Sequence, residues 1–169
     1  VACPEAFDAD TRGFDVIVGN PPWDKTKFSD TDFFPQFKSN YRSLSNSEKQ
    51  TLQTDLLAKP HIQRAYNEQA AQALTSNAYY KAHFPLNAGS GDGNLFRFFV
   101  ERNLSLLAPG GTLCYVLPSA LMFEDGSLAL RKHILETLQL KSFYSFENRD
   151  GVFPDVDSRY KFAMMQIVN

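Results

Sequence analysis

A strand that runs straight into two prolines constrains this chain more than any other feature. Phe14-Asp15-Val16-Ile17-Val18-Gly19 is rich in β-branched residues and reads as a short buried strand ending in a glycine. Asn20-Pro21-Pro22-Trp23 follows at once. Asn20 and Pro21 each precede a proline, which drives both out of the α region. Pro21 and Pro22 have a fixed φ and no N–H to donate. The strand therefore ends in a stiff corner. That corner offers acceptors, the Asn20 side-chain oxygen and backbone carbonyls, beside a flat indole. In an open α/β sheet, ligands bind at this end of the strands.

An exocyclic aromatic amine suits such a corner. Its lone pair is delocalised into the ring, which makes it a poor nucleophile. Two acceptors, one for each amine hydrogen, pull the nitrogen toward tetrahedral geometry and localise that pair. Acceptors fixed in advance need little reorganisation in the transition state. Trp23 offers a face on which the heterocycle can stack. The structural alternative is a proline-rich turn with a core tryptophan. Strand, Asn, Pro-Pro and aromatic in this order favour the functional reading.

The remaining chain divides by character. Residues 1–13 form a turn-like lead-in. From Asp24 to about Asp92 polar residues dominate. Phe28, Phe33, Phe34, Phe37 and Tyr41 are scattered among Lys25, Lys27, Lys38 and Arg42. Ser45 with Glu48 three residues later reads as a capping box, with a helix to about Ala58. Pro60 suits the first turn of a second helix. Ile62, Ala65, Tyr66, Gln69, Ala73 and Leu74 give that helix an apolar stripe to about Ala82. Over residues 24–92 eight Lys and Arg face seven Asp and Glu, so the charges nearly cancel. This inserted helical arm holds a nucleic-acid backbone, covers the base pocket, or simply packs as a helical hairpin on the sheet.

Gly89-Ser90-Gly91-Asp92-Gly93 matches a Gly-x-Gly-x-Gly pattern. A cofactor glycine turn must follow a strand and open a helix. No convincing strand precedes this one, so it reads as a flexible link. A helix follows from Gly93 to about Leu107, with Leu95, Phe98, Phe99, Leu106 and Leu107 facing the core. Ala108-Pro109-Gly110-Gly111 stops it. Thr112–Leu117 is a near-continuous apolar strand, expected to be buried on both faces. A helix from about Ser127 to Leu138, strands at Lys141–Glu147 and Tyr160–Val168, and a turn at Asn148-Arg149-Asp150-Gly151 complete the chain.

With 169 residues, 43% hydrophobic and 14% aromatic, the chain can bury one real core. A net charge of −2 excludes a strongly basic nucleic-acid footprint, though not a catalytic module gripped to DNA elsewhere. Cys3 and Cys114 suggest no disulfide framework and fit a reducing cytoplasm. His61, His83 and His133 have no metal-site spacing. No run reaches membrane-spanning length and no signal peptide is present.

Strand-Asn-Pro-Pro-Trp resembles the catalytic motif of the amino-methyltransferases, which use S-adenosylmethionine (SAM) to methylate adenine N6, cytosine N4 or a glutamine amide. The resemblance extends through Gly93-Asn94-Leu95-Phe96, Leu107-Ala108-Pro109-Gly110-Gly111, Tyr115-Val116-Leu117-Pro118-Ser119 and Gly151-Val152-Phe153-Pro154. These are similar, in order, to later motifs of adenine DNA methyltransferases of restriction–modification and phage-defence systems. It covers roughly residues 14–23 and 93–168.

The resemblance implies a fold: the second half of a doubly wound α/β, Rossmann-like SAM-dependent methyltransferase sheet. Residues 1–23 and 93–169 form the catalytic half-domain, and 24–92 the helical insertion. Two parallel strands should lie beside an antiparallel hairpin. The 14–18 strand should have an open apolar edge, which normally pairs with an upstream half and here invites dimerisation. The resemblance also implies roles. Asn20 and the Pro21 carbonyl accept from the adenine amine, Pro22 stiffens the corner, and Trp23 stacks on the flipped base. Phe153 is the second aromatic, with Phe146 as fallback and a core phenylalanine as the alternative. Asn20 and Phe96 approach the cofactor, Phe96 with the competing role of a helix core residue. No general base is needed, because the sulfonium methyl is attacked directly. The first residue is Val, and the main SAM motif is expected upstream, so the chain alone should neither bind SAM usefully nor methylate DNA. Rival functions are methylation of RNA adenine or of a protein glutamine, and a non-catalytic interaction module that kept the fold.

Overall fold

The computed structural model describes residues 3–8, 12–89, 93–154 and 156–169. Its first strand, β1 (Phe14–Gly19), is followed by a short α1 (Asp30–Phe33), α2 (Asn46–Leu57), the long α3 (Pro60–His83) and α4 (Leu95–Leu104). Then come β2 (Leu107–Pro118), a one-turn α5 (Ala120–Phe123), α6 (Leu128–Thr137), β3 (Gln139–Glu147) and β4 (Lys161–Val168). The chain divides into two compact units. One joins Val1–Lys25 with Tyr80–Asn169; the other is Thr26–Tyr79.

The first unit is built on one mixed sheet of order β1-β2-β4-β3. β1 runs parallel to β2, β2 antiparallel to β4, and β3 antiparallel to β4. This is the expected pair of parallel strands beside a hairpin. β1 is an edge strand, paired on one side only among the described residues.

β2 starts earlier than its apolar run suggests. Pro109 and Gly110 do not end the element; they sit inside it as a bulge. Between the pairs Phe14–Leu107 and Val16–Thr112, β1 advances two residues and β2 five. Prolines inside strands are tolerated at such irregular points. Gly111 is required there, because a Cβ would stand 2.6 Å from the Phe14 carbonyl oxygen. Asn169 keeps the bulged stretch paired: Gly110 donates to the Asn169 carbonyl at 2.9 Å and Asn169 donates to that of Gly111 at 2.9 Å.

One face of the sheet carries the core. Leu113, Tyr115 and Leu117 of β2 and Ala163, Met165 and Ile167 of β4 are buried against Phe96, Val100 and Leu104 of α4, Leu121 of α5, and Leu130 and Ile134 of α6. The opposite face is largely bare. Thr112, Cys114 and Val116 are only half-buried, and Val18 and Tyr144 are 74% and 63% exposed. The expectation that β2 is buried on both faces is therefore corrected. All three helices pack on the same side, so the strand alternates instead.

The face of α4 is also corrected. Phe96, Phe98, Val100 and Leu104 turn inward, Phe99 stays 44% exposed, and Leu107 belongs to β2. The helix stops at Leu104, three residues short of the expected end, so its stripe is set by Phe96, Val100 and Leu104 at intervals of four.

The second unit has its own core. Phe33, Phe34, Tyr41, Leu56 and Ile62 are buried, with Phe28 and Tyr66 packed on them. The aromatics that look scattered in sequence thus converge. Asp30 accepts from the Tyr66 hydroxyl at 2.8 Å and from Gln53 at 3.3 Å; burial, then Asp30, pushes the Tyr66 phenol up. The capping box is present, with Ser45 and Glu48 bonded in both directions. The apolar stripe of α3 is used only near its start, since Ile62 is buried while Leu74 is 73% exposed. The glycine-rich link lies partly outside the described residues, at 90–92. No described helix is long and apolar enough to cross a membrane. Cys3 and Cys114 are free thiols.

Candidate active site

β1 delivers Asn20 to the carboxyl end of the sheet, beside Tyr115, the partner of Gly19 on β2. Asn20 is exposed, Pro21 buried and Trp23 half-buried. Trp23 packs on the edge of the sheet core. The chain after the corner is tied to the start of α4: Lys25 bridges Asn94, and Leu95 donates to the Asp24 carbonyl at 3.0 Å. These bonds, with two prolines of fixed φ, hold the corner.

Inside the corner, the Trp23 indole N–H donates to the Asn20 side-chain oxygen at 3.0 Å. The sequence reading missed this bond. It follows from spacing: two prolines between Asn and Trp fold the fourth residue back toward the first.

The second wall comes from the link between β3 and β4. Phe153 is half-buried, and its ring centroid lies 4.9 Å from that of Trp23, tilted by 57°. Phe153 also meets Phe162 edge-on at 5.0 Å, and Phe162 stacks with Phe146 at 5.4 Å. Phe153 is thus the aromatic set against the corner, and Phe146 lies one ring further away. Asn20, Pro21, Pro22, Trp23, Phe153 and Pro154 line a cleft of about 310 Å³.

Trp23 also borders a larger cavity of about 1030 Å³, shared with Phe96, Pro118, Ser119 and Tyr160. Lys25, Arg159 and Lys161 and the carboxylates of Asp24, Glu124 and Asp157 stand around it. Phe96 borders this cavity but leaves only 1% of its surface exposed and packs in the core. Asn94 precedes α4 without capping it, and its side-chain oxygen is buried with no hydrogen-bond partner. Arg159 donates to both carboxylate oxygens of Asp157, at 2.9 and 2.6 Å. Those bonds, with the Arg159 backbone N–H, hold the Asp157 carboxyl down to about 2.

Chemically, the corner suits a flat heterocycle bearing an amine: a fixed amide oxygen beside two aromatic faces. β1 leads into the corner, β2 leads through Ser119 into α5, and β3 and β4 form a hairpin. None of them leads through a glycine turn into a helix, the arrangement that holds a nucleotide in such folds. Among the described residues no group of three His, Cys, Asp or Glu could hold a metal ion.

The profile of the Eco57I restriction-modification methylase family matches residues 2–67 and 60–153. No curated protein matches the chain.

Proposed function

The chain belongs to the Eco57I restriction-modification methylase family, and from that premise we propose that it carries the catalytic corner of a DNA methyltransferase acting on the N6 amine of adenine. The observation that carries the reading is the junction of Asn20, Trp23 and Phe153: an amide oxygen bonded to the indole at 3.0 Å and two rings 4.9 Å apart. SAM would supply an electrophilic methyl group to this corner. Its main binding elements lie outside this chain, so the isolated chain binds SAM weakly and is inactive alone.

In this reading the chain's own residues do three things. The Asn20 side-chain oxygen and the Pro21 carbonyl take the two amine hydrogens and turn the lone pair toward the methyl donor. Pro21 and Pro22 hold these acceptors rigid, so little reorganisation opposes the reaction. Trp23 and Phe153 stack on the base. A base inside a duplex must be extruded to reach them, which costs a few kcal/mol, and about 1–3 kcal/mol per stacked base offsets it. Asn20 and Phe96 border the methyl donor, and DNA is the macromolecular partner, in the cytoplasm.

The test uses the full-length protein with radiolabelled SAM and, in parallel, duplex DNA, RNA and a glutamine-containing peptide. Label in adenine N6 of DNA, lost on Asn20→Ala, is the expected result. Label confined to RNA or peptide would reassign the substrate. Methylation of DNA unchanged by Asn20→Ala would refute the role of the corner.

A further inference from the structure

Asn148 is the least exposed polar residue near the corner, at 1%. It follows β3 and stands where the chain leaves the sheet. Its backbone N–H donates to the Tyr160 carbonyl at 3.1 Å, and its own carbonyl accepts from Gly151 at 3.1 Å. The first bond closes the stem of the link between β3 and β4; the second closes a tight turn. Gly151 has φ +66° in that turn, a conformation that disfavours other residues.

The side chain of Asn148 reaches into the same link. Its amide nitrogen donates to the Phe153 carbonyl and to the Val156 carbonyl, each at 2.9 Å. Its amide oxygen accepts from the Phe153 N–H at 2.9 Å. Both donors and one acceptor lone pair are used, close to the full capacity of the group. Phe153 is held by both of its backbone polar groups. Losing these bonds would leave the buried Asn148 amide unsatisfied, which is expensive.

We propose that Asn148 is the positioning residue of the aromatic slot: its buried amide fixes Phe153 opposite Trp23. This rests on the reading of Phe153 as a wall of the base slot. With rings 4.9 Å apart and tilted, the slot is shut. A base between two rings needs contact of about 3.5 Å on each face, roughly 7 Å in all. Phe153 is pinned by Asn148 and packed on Phe162, whereas Trp23 rests half-buried on the edge of the sheet core with an exposed side-chain hydrogen bond to Asn20. The slot therefore opens by movement of Trp23, and Asn148 supplies the wall that stays.

Trp23 is the only tryptophan of the chain, so its emission reports the contact directly. Asn148→Ala removes the amide. Asn148→Asp keeps its shape and the acceptor for the Phe153 N–H but removes both donors. Each should shift the emission to longer wavelength and raise quenching by acrylamide as far as Phe153→Ala does. Adding Asn148→Ala to Phe153→Ala should change nothing further. A merely structural asparagine would lower the melting temperature without that Trp23 signature. Folded Asn148 variants with wild-type emission would overturn the proposal. Should the variants fail to fold, amide exchange in the unaltered chain decides: slow exchange at Phe153 N–H supports the clamp, and exchange at the rate of an open loop overturns it. In the active full-length protein, Asn148→Ala should lower kcat/KM for DNA as far as Phe153→Ala. A changed emission with full activity would leave the clamp standing and refute the slot reading.

Discussion

The indole N–H of Trp23 is bonded to the side-chain oxygen of Asn20, so on the proposed reading the ring that stacks on a base and the acceptor for its amine form one unit. The bond orients the amide, turning its oxygen and not its nitrogen toward the ring. An amide oxygen has two lone pairs, and the indole takes one. On that reading, displacing Trp23 to admit a base would also release the acceptor, coupling entry of the ring to readiness of the amine site.

Three substitutions at the corner separate its parts. Asn20→Ala in the full-length enzyme should lower kcat by about 100-fold or more, the scale for losing one preorganised polar group. Trp23→Phe keeps a ring and removes the N–H. It should cost about one hydrogen bond, roughly 0.5–1.5 kcal/mol, and remain well above Asn20→Ala in activity. Trp23→Ala should lose stacking as well. Steady-state kinetics on duplex substrate check the order; equal losses for Trp23→Phe and Asn20→Ala would contradict it.

Phe153 and Phe146 are distinguished by position. Phe153→Ala should reduce kcat/KM by about 1–3 kcal/mol in transition-state free energy, the range for one base–aromatic stack. Phe146 meets Phe162 and not Trp23, so Phe146→Ala should leave kcat/KM within about twofold, equivalent to roughly 0.4 kcal/mol. A larger loss at Phe146 than at Phe153 would exchange their roles.

Asp157 should titrate near 2 by carbon-detected NMR. In Arg159→Ala the midpoint should rise toward the ordinary carboxylate value of 3.8. The sign follows from linkage: a folded-state value held below the unfolded one adds stability above the unfolded value. That contribution disappears as pH falls through the folded one. Asp157 thus favours the fold at pH 5 and above, and its contribution fades between about pH 4 and pH 2.

Burial predicts opposite outcomes for two leucines. Leu113 is fully enclosed in the sheet core and Leu74 is 73% exposed on α3. Leu113→Ala should lower stability by about 2–5 kcal/mol, whereas Leu74→Ala should stay within about 0.5 kcal/mol. Urea unfolding followed by circular dichroism measures both.

Local signals in the chain are decisive where they are chemical. Ser45 and Glu48 announce a helix start that the structure contains, and Pro60 begins α3. The strand before Asn20 is legible from its β-branched run, and the hairpin of β3 and β4 from aromatic and apolar runs broken by turn residues. Signals that depend on partners mislead. The apolar run of β2 does not say that one of its faces lacks helices. The pair Leu106-Leu107 looks helical, yet pairing of Leu107 with Phe14 draws it into the sheet. Pro109-Gly110 reads as a stop because a bulge held by Asn169 leaves no local mark. In the candidate site, the corner is legible as a whole because prolines fix it. Asn148 reads only as a turn residue, since its side-chain bonds reach residues five and eight positions on.

The bare face of the sheet has a consequence for any solution experiment on this chain. Val16, Val18, Tyr144 and Met164 stand open to water on one face of an ordered, paired sheet. Dyes such as ANS bind exposed apolar surface, and their fluorescence is a customary sign of a molten globule. Here the native fold itself offers that surface. A bright dye signal should coexist with intact near-UV dichroism from Trp23 and the packed tyrosines, so that dye brightness marks this molecule as one-sided and not as loose.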